Sequence, residues 1–261
     1  MGAVKGHFSF FTMLRLDIDE HDMMAMNQRF HLVPLVGLLF GIISGLGIYL
    51  LQTQVGMLAA TAATLLCLQL FNRFLHMDGL MDVGDGLTVS GKREDHLRAL
   101  KDTRTGAGGV AFAFFVTLLS FAGLASLPLY WLPFVPLSVE VLSRNTMVAT
   151  AAFGSPGQGM AGESVRLTGI AGLFKSTILT TFLLLMSNAI LWIVWSLLGL
   201  NRPDMATGVL ALLIALSATL VLGWVLSRIA ENNFGMVNGD MLGASNELSR
   251  AILLLLILVV I

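Results

Sequence analysis

Charge is what this sequence has least of. Asp, Glu, Lys and Arg make up 12% of its 261 residues while apolar residues make up 56%, against roughly 25% charged in ordinary soluble domains. The shortage excludes a water-soluble globular protein, whose surface needs polar side chains, and a mean hydropathy of +0.84 agrees. A single cysteine, Cys67, excludes an internal disulfide; set in an apolar run, it reads as a small buried hydrophobe. A net charge of −1 gives no basic excess, so nucleic acid is not expected as a partner. No charged-then-apolar leader is apparent, since the first long apolar run starts near Leu32 and resembles a span. Nor does any Ser-His-Asp or Cys-His set stand at convincing spacing, and His7, His21, His31, His76 and His96 form no zinc pattern.

What the sequence has in abundance is long apolar runs. A bilayer core of about 30 Å takes roughly 20 apolar residues in a helix. Seven stretches meet or approach that length: 32–51, 55–75, 110–128, 130–153, 173–198, 207–229 and 241–261. The fourth is interrupted by Pro133, Pro136, Glu140 and Arg144, and the seventh is strongly apolar only over 251–261. Phe8–Leu16 is apolar but too short to cross, which suits an interfacial or re-entrant segment. The expected fold is therefore all-α: a polytopic membrane helix bundle of about seven transmembrane helices, with residues 1–261 forming one membrane-embedded domain.

The few charges are unevenly placed. If the spans alternate, the loops near 52–54, 128–130 and 199–206 share one side; of the 15 Lys and Arg residues only Arg202 falls there, and of the 16 Asp and Glu only Asp204. The positive-inside rule makes the charged side cytoplasmic, so the N-terminus is expected inside and the C-terminus outside. Carboxylates are not governed by that rule, and their gathering on the same side fits a polar site facing the cytoplasm. Solvated loops account equally well for Asp17 to Asp22 and for Glu94 and Asp95.

The densest polar feature follows the second span. Asp78, Asp82 and Asp85 stand at i, i+4, i+7, which puts them on one face of a continuing helix. Their mutual repulsion would be relieved by a divalent cation, and hard oxygen ligands suit Mg²⁺ or Mn²⁺. Gly79, Gly84 and Gly86 would let a ligand approach the backbone closely. The plainer reading is a polar helix end at the membrane surface. In the next loop Lys101 and Arg104 precede Gly106, Gly108 and Gly109 at the start of the third span, where a helix N-terminus could take phosphate; cations are also expected there as topology signals. Glu140 and Arg144, i and i+4 in the fourth span, mark either function or a packing ion pair. The stretch Gly154–Gly159 reads as flexible and rich in donors. Asp240 and Glu247 share a helix face if the chain is helical there, Asn238-Gly239 reads as a turn, and Arg15, Arg29 and Arg73 add cations near the same surface. Carboxylates, cations and Gly-rich backbone facing one compartment suit phosphoryl transfer.

Several of these runs also resemble a known family. LHMDGLMDVGDGL (Leu75–Leu87), ALKDTRTGAGGV (Ala99–Val110), EVLSRNTMVATA (Glu140–Ala151) and GDMLGASNE (Gly239–Glu247) are similar to cobalamin synthase, the adenosylcobinamide-GDP ribazoletransferase family. Phe10–Leu16 and Phe30–Gly45 extend the likeness, although Thr12 to Leu16 departs from the Thr-Arg-Leu-Pro-like sequence usual there. The resemblance implies a Mg²⁺-dependent membrane enzyme that joins α-ribazole, or its 5′-phosphate, to adenosylcobinamide-GDP and releases GMP. It further implies Asp78, Asp82 and Asp85 as metal ligands, with Asp82, Asp102 and Asp240 as catalytic carboxylates. Lys101, Arg104, Arg144, Arg73 and Glu247 are the implied substrate contacts. Two other readings stay open: a CDP-alcohol type phosphotransferase, whose Ala-Arg after Asp-Gly is missing here, and an ion-coupled transporter. The oligomeric state is left open.

Overall fold

The computed structural model describes residues 2–261. It is helical throughout; among the described residues the single β-type contact is a bridge between Pro156 and Val237. Five helices are long and apolar enough to cross a membrane. They are α3 (Pro34–Val55) with the 3-10 turn before it, α7 (Ala107–Ala125), α9 (Gly159–Leu197), α10 (Met205–Phe234) and α11 (Gly239–Val260). Their outward faces carry Phe114, Phe115, Phe174, Phe182, Leu213 and Val221. An apolar exterior of this kind is what lipid selects.

Each of the seven expected stretches holds a helix, but two differ from simple spans. The fourth is α8 (Phe134–Phe153), 20 residues that are too polar to face lipid unaided. It does not face lipid: 18 of its residues are buried, enclosed by α3, α9, α10 and α11. The second is α4 (Met57–Phe71), 15 residues long, which stops short of the expected 55–75. There Arg73 and Phe74 both adopt φ of 57°, and α5 (Leu75–Thr88) leaves at 93° to α4. Consecutive left-handed non-Gly residues are costly, on the order of 1–3 kcal/mol each. α5 thus runs across the end of the bundle instead of continuing the crossing. Counting the bent pair as one span gives six by length and composition. Cys67 lies on the outside of α4, not in the core as expected.

One end of the bundle collects the polar elements. α1 (Gly2–Phe11) and α2 (Glu20–Gln28) pack on each other there, and Met13 N–H donates to Phe71 O at 2.7 Å. α2 starts on a capping box in which Asp19 accepts from Asp22 N–H, so part of the acidic run Asp17 to Asp22 is a helix start and not a plain loop. The segment after α8 is less free than its glycines suggest, since Gly157 N–H donates to Val237 O and Val237 N–H to Ser155 O. α9 breaks at Gly169, where φ is 48°, separating a polar first part from the apolar span. At the opposite end Tyr49, Phe134 and Trp195 pack edge to face near Arg202, whose guanidinium lies 4.0 Å from the Trp192 ring centre.

Candidate active site

The acidic cluster is built on α5, which is wedged among three neighbours by its glycines. A Cβ on Gly79 would lie 2.7 Å from the Asp240 carbonyl of α11, and one on Gly84 2.7 Å from Phe112 Cβ of α7. A Cβ on Gly86 would lie 2.7 Å from the Phe234 ring of α10. The close approach that these glycines permit is therefore by helices, where the sequence had suggested a ligand. Its effect is to set Asp78 and Asp82 beside Asp240 at the start of α11.

Asp85 faces elsewhere. Its two oxygens accept from Gly106 N–H at 2.6 Å and Gly109 N–H at 2.7 Å, capping α7 from a different helix. The helix N-terminus expected to take phosphate is occupied by this carboxylate. Asp82 is pushed up to about 6, first by partial burial and then by the charges of Asp240, Asp78 and Asp85. The Asp240 Oδ2 accepts from Asn238 Nδ2 at 2.7 Å, and Asn238 itself caps α11 through Met241 N–H. The α5 carboxylates do not converge on a single point. Among the described residues the only three candidate ligand atoms within 4.8 Å of one another belong to Asp19, His21 and Asp22 on the surface. Oxygen-only donors, mutually repelling and without a cation among them, nonetheless match the chemistry of a hard divalent ion.

The cations fall into two groups. Lys101 and Arg104 are exposed on the loop between α6 (Arg93–Leu100) and α7. Arg104 donates to Asp102 from its backbone at 3.0 Å and its guanidinium at 3.3 Å, which holds the Asp102 carboxyl below its usual range. Arg73, at the bend, donates to Phe10 O at 2.7 Å and shares an open groove with Arg15.

Arg144 and Glu247 are not at the acidic mouth. They are 0% and 3% exposed, inside the bundle. Arg250 donates to Glu140 at 2.6 and 3.2 Å and also binds Glu247; Arg144 binds Asn246 and lies 3.7 Å from Glu140. Gln69 and Asn246 donate to Glu247 at 2.9 and 3.0 Å. Two arginines against two glutamates leave this interior quartet neutral. Arg250 was not singled out from the sequence; the i, i+3 spacing from Glu247 was the available signal. His76 connects the quartet to α5, its Nδ1 lying 3.9 Å from Glu247 and 3.4 Å from Asn72 Nδ2.

Helices buried around a neutral ion quartet, with acids assembled at one end, define a polytopic helical membrane protein with a single-ended polar site. The chain matches the model of the family described as cobalamin-5-phosphate synthase over residues 3–258, and it belongs to that family. A relative named adenosylcobinamide-GDP ribazoletransferase in Methanocella arvoryzae is 32% identical, covering 96% of this chain and 92% of the relative. Relatives with the same name in Pyrococcus abyssi and Halorubrum lacusprofundi are 32% and 31% identical over 84% and 95% of the chain, and 82% and 93% of their own. No solved structure matches.

Proposed function

We propose that this chain is an adenosylcobinamide-GDP ribazoletransferase that joins α-ribazole or its 5′-phosphate to adenosylcobinamide-GDP. The observation that carries the reading is the placing of Asp78, Asp82 and Asp240 together at one end of a membrane bundle, in a chain of this family. In the reaction a ribose hydroxyl oxygen bonds to the phosphorus nearer cobinamide, the bond from that phosphorus to the GMP oxygen breaks, and GMP departs. The hydroxyl proton passes to Asp240, which lines the cavity beside the cluster.

Asp78 and Asp82 would hold Mg²⁺; when bound, it would polarise the diphosphate and offset charge on the leaving phosphate. Asp85 contributes its charge at the back of the cluster and fixes α7. Exposed Lys101, Arg104 oriented by Asp102, and Arg73 held by Phe10 O would meet phosphate oxygens at the site's rim. Arg144 and Glu247 act through packing, Arg144 by joining α8 to Asn246 of α11 and Glu247 by joining α11 to Gln69 of α4. The charge asymmetry supports a site facing the cytoplasm in the cell membrane. A CDP-alcohol phosphotransferase is disfavoured by the family membership, and a transporter by the nearly chargeless opposite end.

Purified protein incubated with adenosylcobinamide-GDP, α-ribazole and Mg²⁺ should release GMP. Asp82→Asn should abolish release while the protein still inserts and folds. Absence of GMP from folded wild-type protein refutes the assignment; full activity of Asp82→Asn refutes the metal-binding role.

A further inference from the structure

A cavity of about 130 Å³ opens between α1, α2, α5, α9 and α11, directly beside the acidic cluster. Phe11, Phe30, Met147 and Met160 supply apolar walls, Asp78 and Asp240 stand in its lining, and no Lys or Arg lines it. In size it is close to the roughly 150 Å³ cavity that accepts a benzene ring. His76 also lines it, 1% exposed, with the Phe11 ring centre 5.8 Å from its own. Its Nε2 is buried without a hydrogen-bond partner among the described residues. Asn72 Nδ2 lies 3.4 Å from Nδ1; with that amide donating, Nδ1 accepts and Nε2 carries the N–H.

Resting on the transferase reading above, we infer that this cavity receives the flat heterocyclic base of α-ribazole, with His76 Nε2–H donating to the ring nitrogen that carries a free lone pair. Three features meet there: aromatic and thioether walls for a π-face, a buried donor that lacks an acceptor, and carboxylates where the ribose would emerge. No Lys or Arg in the lining could pair with a phosphate carried inside the cavity, which favours an uncharged ring there and leaves the diphosphate outside, at the acidic cluster. This placement brings the ribose hydroxyl to Asp240 and the phosphate to the rim.

The test measures binding to wild-type protein in nanodiscs by calorimetry, using α-ribazole and an analogue in which an indole ring replaces the benzimidazole. Wild type should bind α-ribazole about ten-fold or more tightly than the indole riboside, the value of one buried hydrogen bond. His76→Phe should reduce that preference to under about two-fold. A second variant, Ala161→Phe, fills the cavity; it should raise the α-ribazole KM about ten-fold or more while changing that for adenosylcobinamide-GDP less than about two-fold. Equal binding of the two ribosides by wild type overturns the His76 contact. Unchanged α-ribazole binding by folded Ala161→Phe overturns the cavity assignment, as does a loss confined to GMP binding, which would place guanine there. In each of those cases wild type still releases GMP. Failure of the transferase reading is different, because wild type then releases none.

Discussion

Gly79 of α5 meets the backbone of Asp240 in α11 so closely that a Cβ would sit 2.7 Å from the carbonyl oxygen and 2.8 Å from Cα. Backbone cannot rotate aside as a side chain can. Gly79→Ala should therefore push α5 off α11, cost about 1–3 kcal/mol of stability and separate the acids. GMP release should fall about ten-fold or more. Gly208→Ala, whose Cβ would meet only Trp131 at 3.6 Å, should behave as wild type in both assays.

The interior quartet predicts an asymmetry between single and paired replacements. Arg250→Leu strands Glu140 and Glu247 with Arg144 alone and should cost about 3–5 kcal/mol. Glu140→Gln with Arg250→Gln keeps the interior neutral and should recover much of that loss. Thermal unfolding in detergent of the two variants decides the matter; equal Tm values would mean that the charges are not coupled.

Asp85 joins α5 to α7 through two amide hydrogen bonds. Asp85→Ala should lower stability by about 0.5–2 kcal/mol, as other helix caps do. Asp85→Asn, which keeps one carbonyl acceptor, should fall between it and wild type. Amide exchange at Gly106 and Gly109 reads the loss directly, and protection unchanged in Asp85→Ala would contradict the tie.

His7 predicts an acid-sensitive N-terminal layer. Burial lowers its pKa to about 4 from 6.5, and a charged His31 nearby opposes protonation further. An unfolded or undocked His7 binds protons at higher pH than the docked one. Docking of α1 should therefore be at full strength above pH 6.5 and weaken as pH falls toward 4, by up to about 1.4 kcal/mol per pH unit. Hydrogen exchange of α1 at pH 7 and pH 5 measures it, and His7→Phe should remove the difference. Lys5 and Asp22, paired at 3.3 Å, also carry charge at the α1–α2 contact.

The helical class, the positions of the apolar runs and the acidic motif were legible in the sequence because each depends on local composition. The bend was not. Asn72 alone is a turn former in Asn72-Arg73-Phe74, and neither left-handed residue is Gly or Asn; tertiary contacts such as Arg73 to Phe10 O help impose the bend. Asp240 and Glu247 were correctly set on one helix face, yet their surroundings diverge: one lies at the mouth and the other two turns deeper, bound to Arg250. Periodicity reports which face a residue is on but not what packs against that face. For the same reason the three α5 acids looked equivalent, whereas Asp85 is committed to α7.

The quartet also sets an order of events during synthesis. Glu140 and Arg250, bonded in the finished bundle, are 110 residues apart in the chain. At about 5–20 residues per second, α8 leaves the ribosome several seconds before Arg250, the hydrogen-bonded partner of its Glu140. In that interval its two charges, at about 2.5–3.5 kcal/mol each, oppose release into lipid. α8 should therefore stay with the insertion machinery until α11 arrives, and a nascent chain cut before Arg250 should be recognised as unfinished and degraded.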